Sequence, residues 1–307
     1  MIDKKIVLEA WKLMQTARAM AKIYDENRPI TKYVHSTSKG HEAIQIAVGM
    51  HLKSQDFAYP YYRDESMLLS MGMTPYELML QLLAKAEDPF SGGRTYYSHP
   101  SLNRENMPKM PHQSSATGMQ AIPATGAAHG IKYKESQGLI NGAEKPIVIC
   151  SLGDGSVTEG EVAESMQMAV LHKLPIIYLV QDNDWGISAS GDEMRAMDAF
   201  EYGLGFKGLR RIRINGSDFL QCYDEMQRAI KTVREERIPM LVHAKVPLLG
   251  HHTSGVRSEW YRDDIEKHER IDPLPRLRKL LQSLAVTDGE LDAIAEECEK
   301  AVIEDFE

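Results

Sequence analysis

The 307-residue sequence is poor in cysteine, lacks any apolar run long enough to span a bilayer, and carries fewer basic than acidic side chains. Cys150, Cys222 and Cys298 stand far apart and form no C-x-x-C pair. That excludes a disulfide framework, a thiolate metal site and a dithiol redox motif, and predicts buried free thiols. The N-terminus follows an amphipathic helical pattern rather than that of a signal peptide, so the expected location is cytoplasmic, with no membrane contact. With 44 acidic and 36 basic residues the net charge is −8, which disfavours a nucleic-acid surface. No internal repeat breaks the chain, and its length suffices to bury a substantial core.

What is present is an alternation of strands and helices. Lys4 to Glu26 has apolar residues at helical spacing, and Ser38 to Leu52 reads as a second helix. Pro146 to Leu152 and Leu174 to Gln181 are short apolar strands around a helix over Glu159 to His172. Arg210 to Asn215 and Met240 to Val246 read as further strands around a helix over Asp218 to Glu236, and helices follow Pro273. This order predicts an α/β fold, a mostly parallel sheet with helices on both faces, plus N-terminal helices over about 1–55 and a helical extension over about 270–307. Glu87 to Gln113, rich in Gly, Pro, Ser, Asn and Tyr, predicts a long ordered loop that contacts substrate or partner.

The chemistry concentrates at two turns. The first strand ends in Gly153-Asp154-Gly155 and the second in Asp182-Asn183-Asp184. Strands joined through a helix run parallel and open at one edge of the sheet, where ligands of α/β folds collect. The glycines permit a tight turn and close approach. One carboxylate and one amide oxygen are hard donors, suited to magnesium that also holds phosphate oxygens, and the N-terminus of the intervening helix favours the same anion. The alternative is a generic βαβ unit in which Asp154 only caps its turn.

The G-D-G, the helix after it and the D-N-x-W-G-I-S turn resemble the thiamine diphosphate motif of the alpha subunit of 2-oxo acid dehydrogenases, the decarboxylating component of those complexes. The resemblance implies the thiamine diphosphate-binding fold, with residues 1–307 as one diphosphate-binding domain. It implies magnesium held by the side chains of Asp154 and Asn183 and the carbonyl of Trp185, with Gly153, Gly155 and Ser156 against the cofactor. Three further segments fit. Tyr59 to Glu65 (YPYYRDE) resembles the signature in which Tyr62 and Arg63 contact the diphosphate, a task suited to the planar fork of arginine. Gln113 to Gly130 resembles the serine-rich turn and small-residue helix beneath the pyrimidine ring, with Ser114, Ser115 and Thr117 at matching positions. In Gly250-His251-His252-Thr253-Ser254, His252 matches the histidine that contacts the diphosphate and organises the entrance.

Paired histidines resemble the branched-chain branch more than the pyruvate branch, and Ser258 to Asp264 resembles its regulated loop. The chain departs from the family at four places. Asp182 precedes Asn183 where two asparagines are usual, Met119 replaces a threonine that helps hold potassium in some relatives, and Gln181 and Leu248 stand where arginines are expected.

By resemblance the activating glutamate belongs to a beta subunit or fused beta-like domain, giving an alpha2beta2 assembly that passes its product to a lipoyl group of the transacylase. The readings left open are a pyruvate or acetoin alpha subunit, and a catalytically incompetent assembly subunit. Gly203 to Gly208 satisfies G-x-G-x-x-G with no strand before it, and Asn215-Gly216-Ser217 matches a glycosylation sequon; neither is assigned a function.

Overall fold

The computed structural model describes residues 2–111, 114–140 and 145–307. Helix α1 (Lys4–Glu26) begins where the Asp3 carboxylate accepts the Lys5 N–H at 2.9 Å, satisfying one of the free donors of a helix start. Its buried stripe, Val7, Ala10, Trp11, Met14 and Met20, lies against the C-terminal helix, where Trp11 Nε1 donates to the Leu291 carbonyl at 3.2 Å. Helix α2 (Glu42–His51) is shorter than the Ser38 to Leu52 pattern. Ser38 instead reaches Ser66, 2.6 Å away. Gly40 turns the chain at φ +103°, where an added Cβ would lie 2.1 Å from the Pro247 carbonyl oxygen; only glycine fits.

Strand β1 (Phe57–Tyr59), helices α3 (Glu65–Ser70), α4 (Pro75–Leu82) and α5 (Ala121–Ser136), then β2 (Val148–Gly153), α6 (Gly160–His172) and β3 (Ile176–Asp182) follow in order. After β3 come the small antiparallel pair β4 (Trp185–Gly186) and β5 (Ala189–Ser190), and short helices α7 (Gly191–Met194) and α8 (Ala199–Tyr202). The chain continues with β6 (Arg210–Asn215), α9 (Phe219–Glu236), β7 (Met240–Lys245), α10 (Ile265–Glu269), α11 (Pro273–Ser283) and α12 (Asp288–Phe306).

Five strands form one parallel sheet in the order β1-β2-β3-β7-β6. Alternation along each strand divides its side chains between two cores. Ile149, Ile177, Leu179 and Val242 face α1, α2 and α9. Val148, Cys150, Leu152, Ile176, Tyr178 and Val180 face α5 and α6, whose Ala121, Ala124, Ala128, Val162 and Met166 meet them. The expected α/β sheet with helices on both faces is therefore present. Cys150 and Cys222 are buried free thiols and Cys298 a partly buried one. No helix among the described residues is long and apolar enough to cross a membrane. Gly203–Gly205 is one short 3-10 turn leading into β6, with no strand before it.

Candidate active site

Asp154 and Asn183 follow β2 and β3, neighbouring strands whose ends are in register at Gly153 and Gln181. The predicted βαβ unit thus brings both residues to one edge, beside a cavity of about 520 Å³. Tyr62, Arg63, Ser115, Thr117, Gly153, Asp154, Gly155, Ser156, Asn183, Trp185 and His252 all line it; Gln113, in the predicted serine-rich segment, lies outside the described residues. The turn itself differs from expectation. Asp154 to Ser156 form a 3-10 turn, and neither flanking glycine has positive φ. Close packing explains Gly153 better, since a Cβ there would stand 3.3 Å from the Tyr61 ring. Helix α6 starts only at Gly160, so the 3-10 turn separates its N-terminus from Asp154.

Each predicted ligand is held by a partner. Arg195 Nη1 donates to Asp154 Oδ2, while its Nη2 donates to Asp182 Oδ1 and to Asp184 Oδ1, both at 2.9 Å. Burial, then the nearby Asp182 carboxylate, pushes the Asp154 pKa above the usual carboxylate range despite Arg195. Burial also opposes ionisation of Asp182, but His243 Nε2 at 2.7 Å and Lys245 Nζ at 2.8 Å hold its pKa well below the usual range. Asn183 Oδ1 accepts the Trp185 N–H at 3.0 Å, and its Nδ2 lies 3.2 Å from His41 Nε2. His41 Nδ1 is 2.9 Å from Gln181 Oε1. Those partners assign the proton of His41 to Nδ1, leaving Nε2 to accept from the Asn183 amide. That fixes which end of Asn183 is oxygen.

Gln181 occupies an expected arginine position but is wholly buried and absent from the cavity wall. Its Nε2 donates to Asp64 Oδ1 (2.6 Å) and Ser151 Oγ (2.9 Å), and its Oε1 also accepts from Gln45 (2.8 Å). Arg63 is buried and not a surface ion pair; its Nη2 donates to the His252 carbonyl at 3.0 Å and its Nη1 to the Thr37 carbonyl at 3.3 Å. Burial first, then Arg63, lowers the His252 pKa to about 3, and a backbone hydrogen bond to Trp185 opposes that shift. At neutral pH the ring is uncharged and meets an anion only as a hydrogen-bonding group. Ser156 Oγ is committed to the Gly153 carbonyl at 2.7 Å. Ser115 and Thr117 are exposed at the mouth.

The cavity suits a metal-bound diphosphate. Asp154 and Asn183 bring a carboxylate and an amide oxygen, both hard donors, to one wall, and the buried guanidinium of Arg63 lines the same cavity. Over residues 12–307 the sequence matches the family described as "Dehydrogenase E1 component". The chain belongs to that family.

As an E1 chain of the alpha type, it is a thiamine diphosphate-dependent 2-oxo acid dehydrogenase subunit. It is 28% identical over 272 residues to "Pyruvate dehydrogenase E1 component subunit alpha" of Rickettsia conorii, spanning 87% of this chain and 79% of the relative. Identity to "2-oxoisovalerate dehydrogenase subunit alpha" of Bacillus subtilis is also 28%, over 260 residues, covering 83% and 74%. "3-methyl-2-oxobutanoate dehydrogenase subunit alpha" of Mycobacterium tuberculosis is 26% identical over 261 residues, 84% of this chain and 65% of the relative. Such relatives support decarboxylation of a 2-oxo acid and imply a beta partner.

Sequence reasoning missed several residues of the E1 site. His41 and Gln45 lie far in sequence from the turns they support, and no local pattern marks them; Asp64, inside the tyrosine-arginine signature, was assigned no role there. Arg262 is buried, donates to the Leu248 carbonyl at 2.8 Å and sits 5.3 Å from the Trp185 ring centroid. A cation thus stands beside Leu248, the other expected arginine position. Tyr96, Tyr97 and His99 of the long loop line the cavity. Arg195 had a signal, as the one basic residue in the acidic run Gly191-Asp192-Glu193-Met194-Arg195-Ala196-Met197-Asp198.

Proposed function

We propose that this chain anchors the diphosphate half of thiamine diphosphate through magnesium, and that the assembled enzyme decarboxylates a branched-chain 2-oxo acid. The observation that carries the anchoring role is the convergence of Asp154 and Asn183 at adjacent strand ends in the cavity that buries Arg63. Asp154, Asn183 and the Trp185 carbonyl would hold magnesium, with phosphate oxygens filling its remaining positions. When bound, the cofactor supplies the electron-accepting centre for loss of carbon dioxide.

The residues of this chain bind and orient. Arg63 faces the anion, His252 lies at the entrance, and Ser115 and Thr117 lie at the mouth for the pyrimidine end. Asp154 is the one carboxylate lining the cavity among the described residues, and as a metal ligand it is not free to move a proton. A glutamate from a beta subunit or fused beta-like domain completes the site in an alpha2beta2 assembly. Acyl transfer to a lipoyl group of the transacylase follows, in the cytoplasm. Residues 1–307 act in it as one diphosphate-binding domain.

The branched-chain substrate rests on His251-His252 and on relatives named for 2-oxoisovalerate. Pyruvate is the second reading, because relatives named for pyruvate dehydrogenase match at equal identity. Co-expression with a beta chain and a dye-reduction assay over branched 2-oxo acids and pyruvate tests both. An assembly that binds thiamine diphosphate yet decarboxylates none of these acids overturns the enzymatic reading. Asp154→Ala is expected to abolish magnesium-dependent cofactor binding in calorimetry; unchanged affinity rules out its ligand role.

A further inference from the structure

The segment after β3 leaves and returns within a dozen residues. Asp184 and Ile187 take left-handed φ of +67° and +55°, β4 and β5 pair, and the Gly191 N–H closes on the Asp184 carbonyl at 2.8 Å. A capping box between Ser190 and Glu193 starts α7, and Arg195 follows, its N–H bonded to the Gly191 carbonyl at 3.0 Å. The guanidinium then reaches back to Asp154, Asp182 and Asp184. Trp185 and its carbonyl lie inside the resulting loop.

This cluster is built and not incidental. The side chain of Arg195 is only 9% exposed, and those of Asp154 and Asp182 are 4% and 0%, which is unlike a solvated surface pair. Asp182 is itself pinned at its other oxygen by His243 and Lys245, so it is a fixed post to which Arg195 is tied. Gly191 leaves the necessary room, because a Cβ there would sit 2.0 Å from Asp184 Oδ1 and 2.8 Å from Arg195 Nη2.

We propose that Arg195 is the positioning residue of the metal turn: by engaging Asp154 Oδ2 it presents Oδ1 to the cation and holds the Trp185 carbonyl beside it. The inference rests on the thiamine diphosphate reading above. Arg195 touches neither substrate nor cofactor; it acts through Asp154 and the loop. Its planar fork spans three acceptors, whereas lysine is a single point of charge on a flexible stem. Groups that orient metal ligands typically change metal affinity about 10- to 100-fold when removed.

The test is thiamine diphosphate binding to the assembled enzyme by calorimetry at graded magnesium. Arg195→Gln is expected to raise the half-saturating magnesium concentration about 10- to 100-fold, with full binding restored at high magnesium and Arg195→Lys falling between. A midpoint unchanged within about twofold, or a loss of binding capacity with no shift in midpoint, overturns the proposal. Should Arg195→Gln not fold, Gly191→Ala keeps every charge and displaces the bridge; the same shift is expected, and an unmoved midpoint overturns it equally. A wild-type assembly that binds no thiamine diphosphate at any magnesium concentration removes the underlying reading, and the proposal with it.

Discussion

At Glu65 the fold keeps a carboxylic acid out of water. Its oxygens accept from Tyr97 and, at 3.3 Å, from Ser38, yet burial outweighs both and pushes its pKa from 4.5 to about 7. A raised folded pKa means that the folded state favours the protonated form. The resulting stabilisation is complete below about pH 4.5 and disappears as pH rises to about 7, on the order of 1.4 kcal/mol per pH unit in that window. Glu65→Gln is expected to flatten this part of the stability profile and to match or exceed wild-type stability above pH 7. Urea unfolding from pH 5 to 8 measures it, and parallel wild-type and variant profiles would contradict it. Asp154 and Asn183 were legible as candidates in the sequence because turn glycines and strand ends mark them, whereas Arg63 and His252 were singled out only by the family resemblance of their segments. His41 and Gln181 were not legible. Their role is to fix the Asn183 amide through a relay whose members meet only in the folded chain.

Elements show the same division. Strands β2, β3, β6 and β7 and helices α1, α6 and α9 were legible from apolar runs and helical spacing, α1 and β6 to the residue and the others with ends displaced by at most two residues. Strand β1 has three residues and the β4–β5 pair two each, too short to show a period. Helices α3 and α4 follow the tyrosine-arginine signature, over a stretch for which no secondary structure was expected. What secures the short β1 is an ion pair. Arg234 near the end of α9 grips Asp56 through two parallel bonds of 2.8 Å, and Asp56 in turn accepts the N–H groups of Ile147 (3.0 Å) and Lys53 (2.9 Å). The Asp56 side chain is wholly buried and that of Arg234 only 11% exposed, so truncating one partner strands a charge. Arg234→Ala is expected to cost about 3 kcal/mol, read as a lower denaturant midpoint. A change below about 0.5 kcal/mol would show that the pair contributes as little as an exposed one.

For the whole molecule, the composition excluded a disulfide scaffold, and the alternation of elements gave the layered sheet. Strand order was beyond the sequence, because the placing of β7 between β3 and β6 depends on which helices cover which face. The all-parallel sheet also governs how the chain reaches this state. No two of its five strands are joined by a hairpin, and the contact that seats β1, Asp56 to Ile147, closes a loop of 91 residues. Local pairing cannot nucleate such a sheet, since every ladder waits on a long closure whose entropy must be met first. Refolding from urea is therefore expected to take seconds or longer and to pass through species with β2 and β3 edges exposed, prone to association as protein concentration rises. Single-exponential recovery within milliseconds, independent of concentration, would contradict this. The arrangement that brings Asp154 and Asn183 side by side thus makes the cofactor turn a late product of folding, formed only once distant parts of the chain have met.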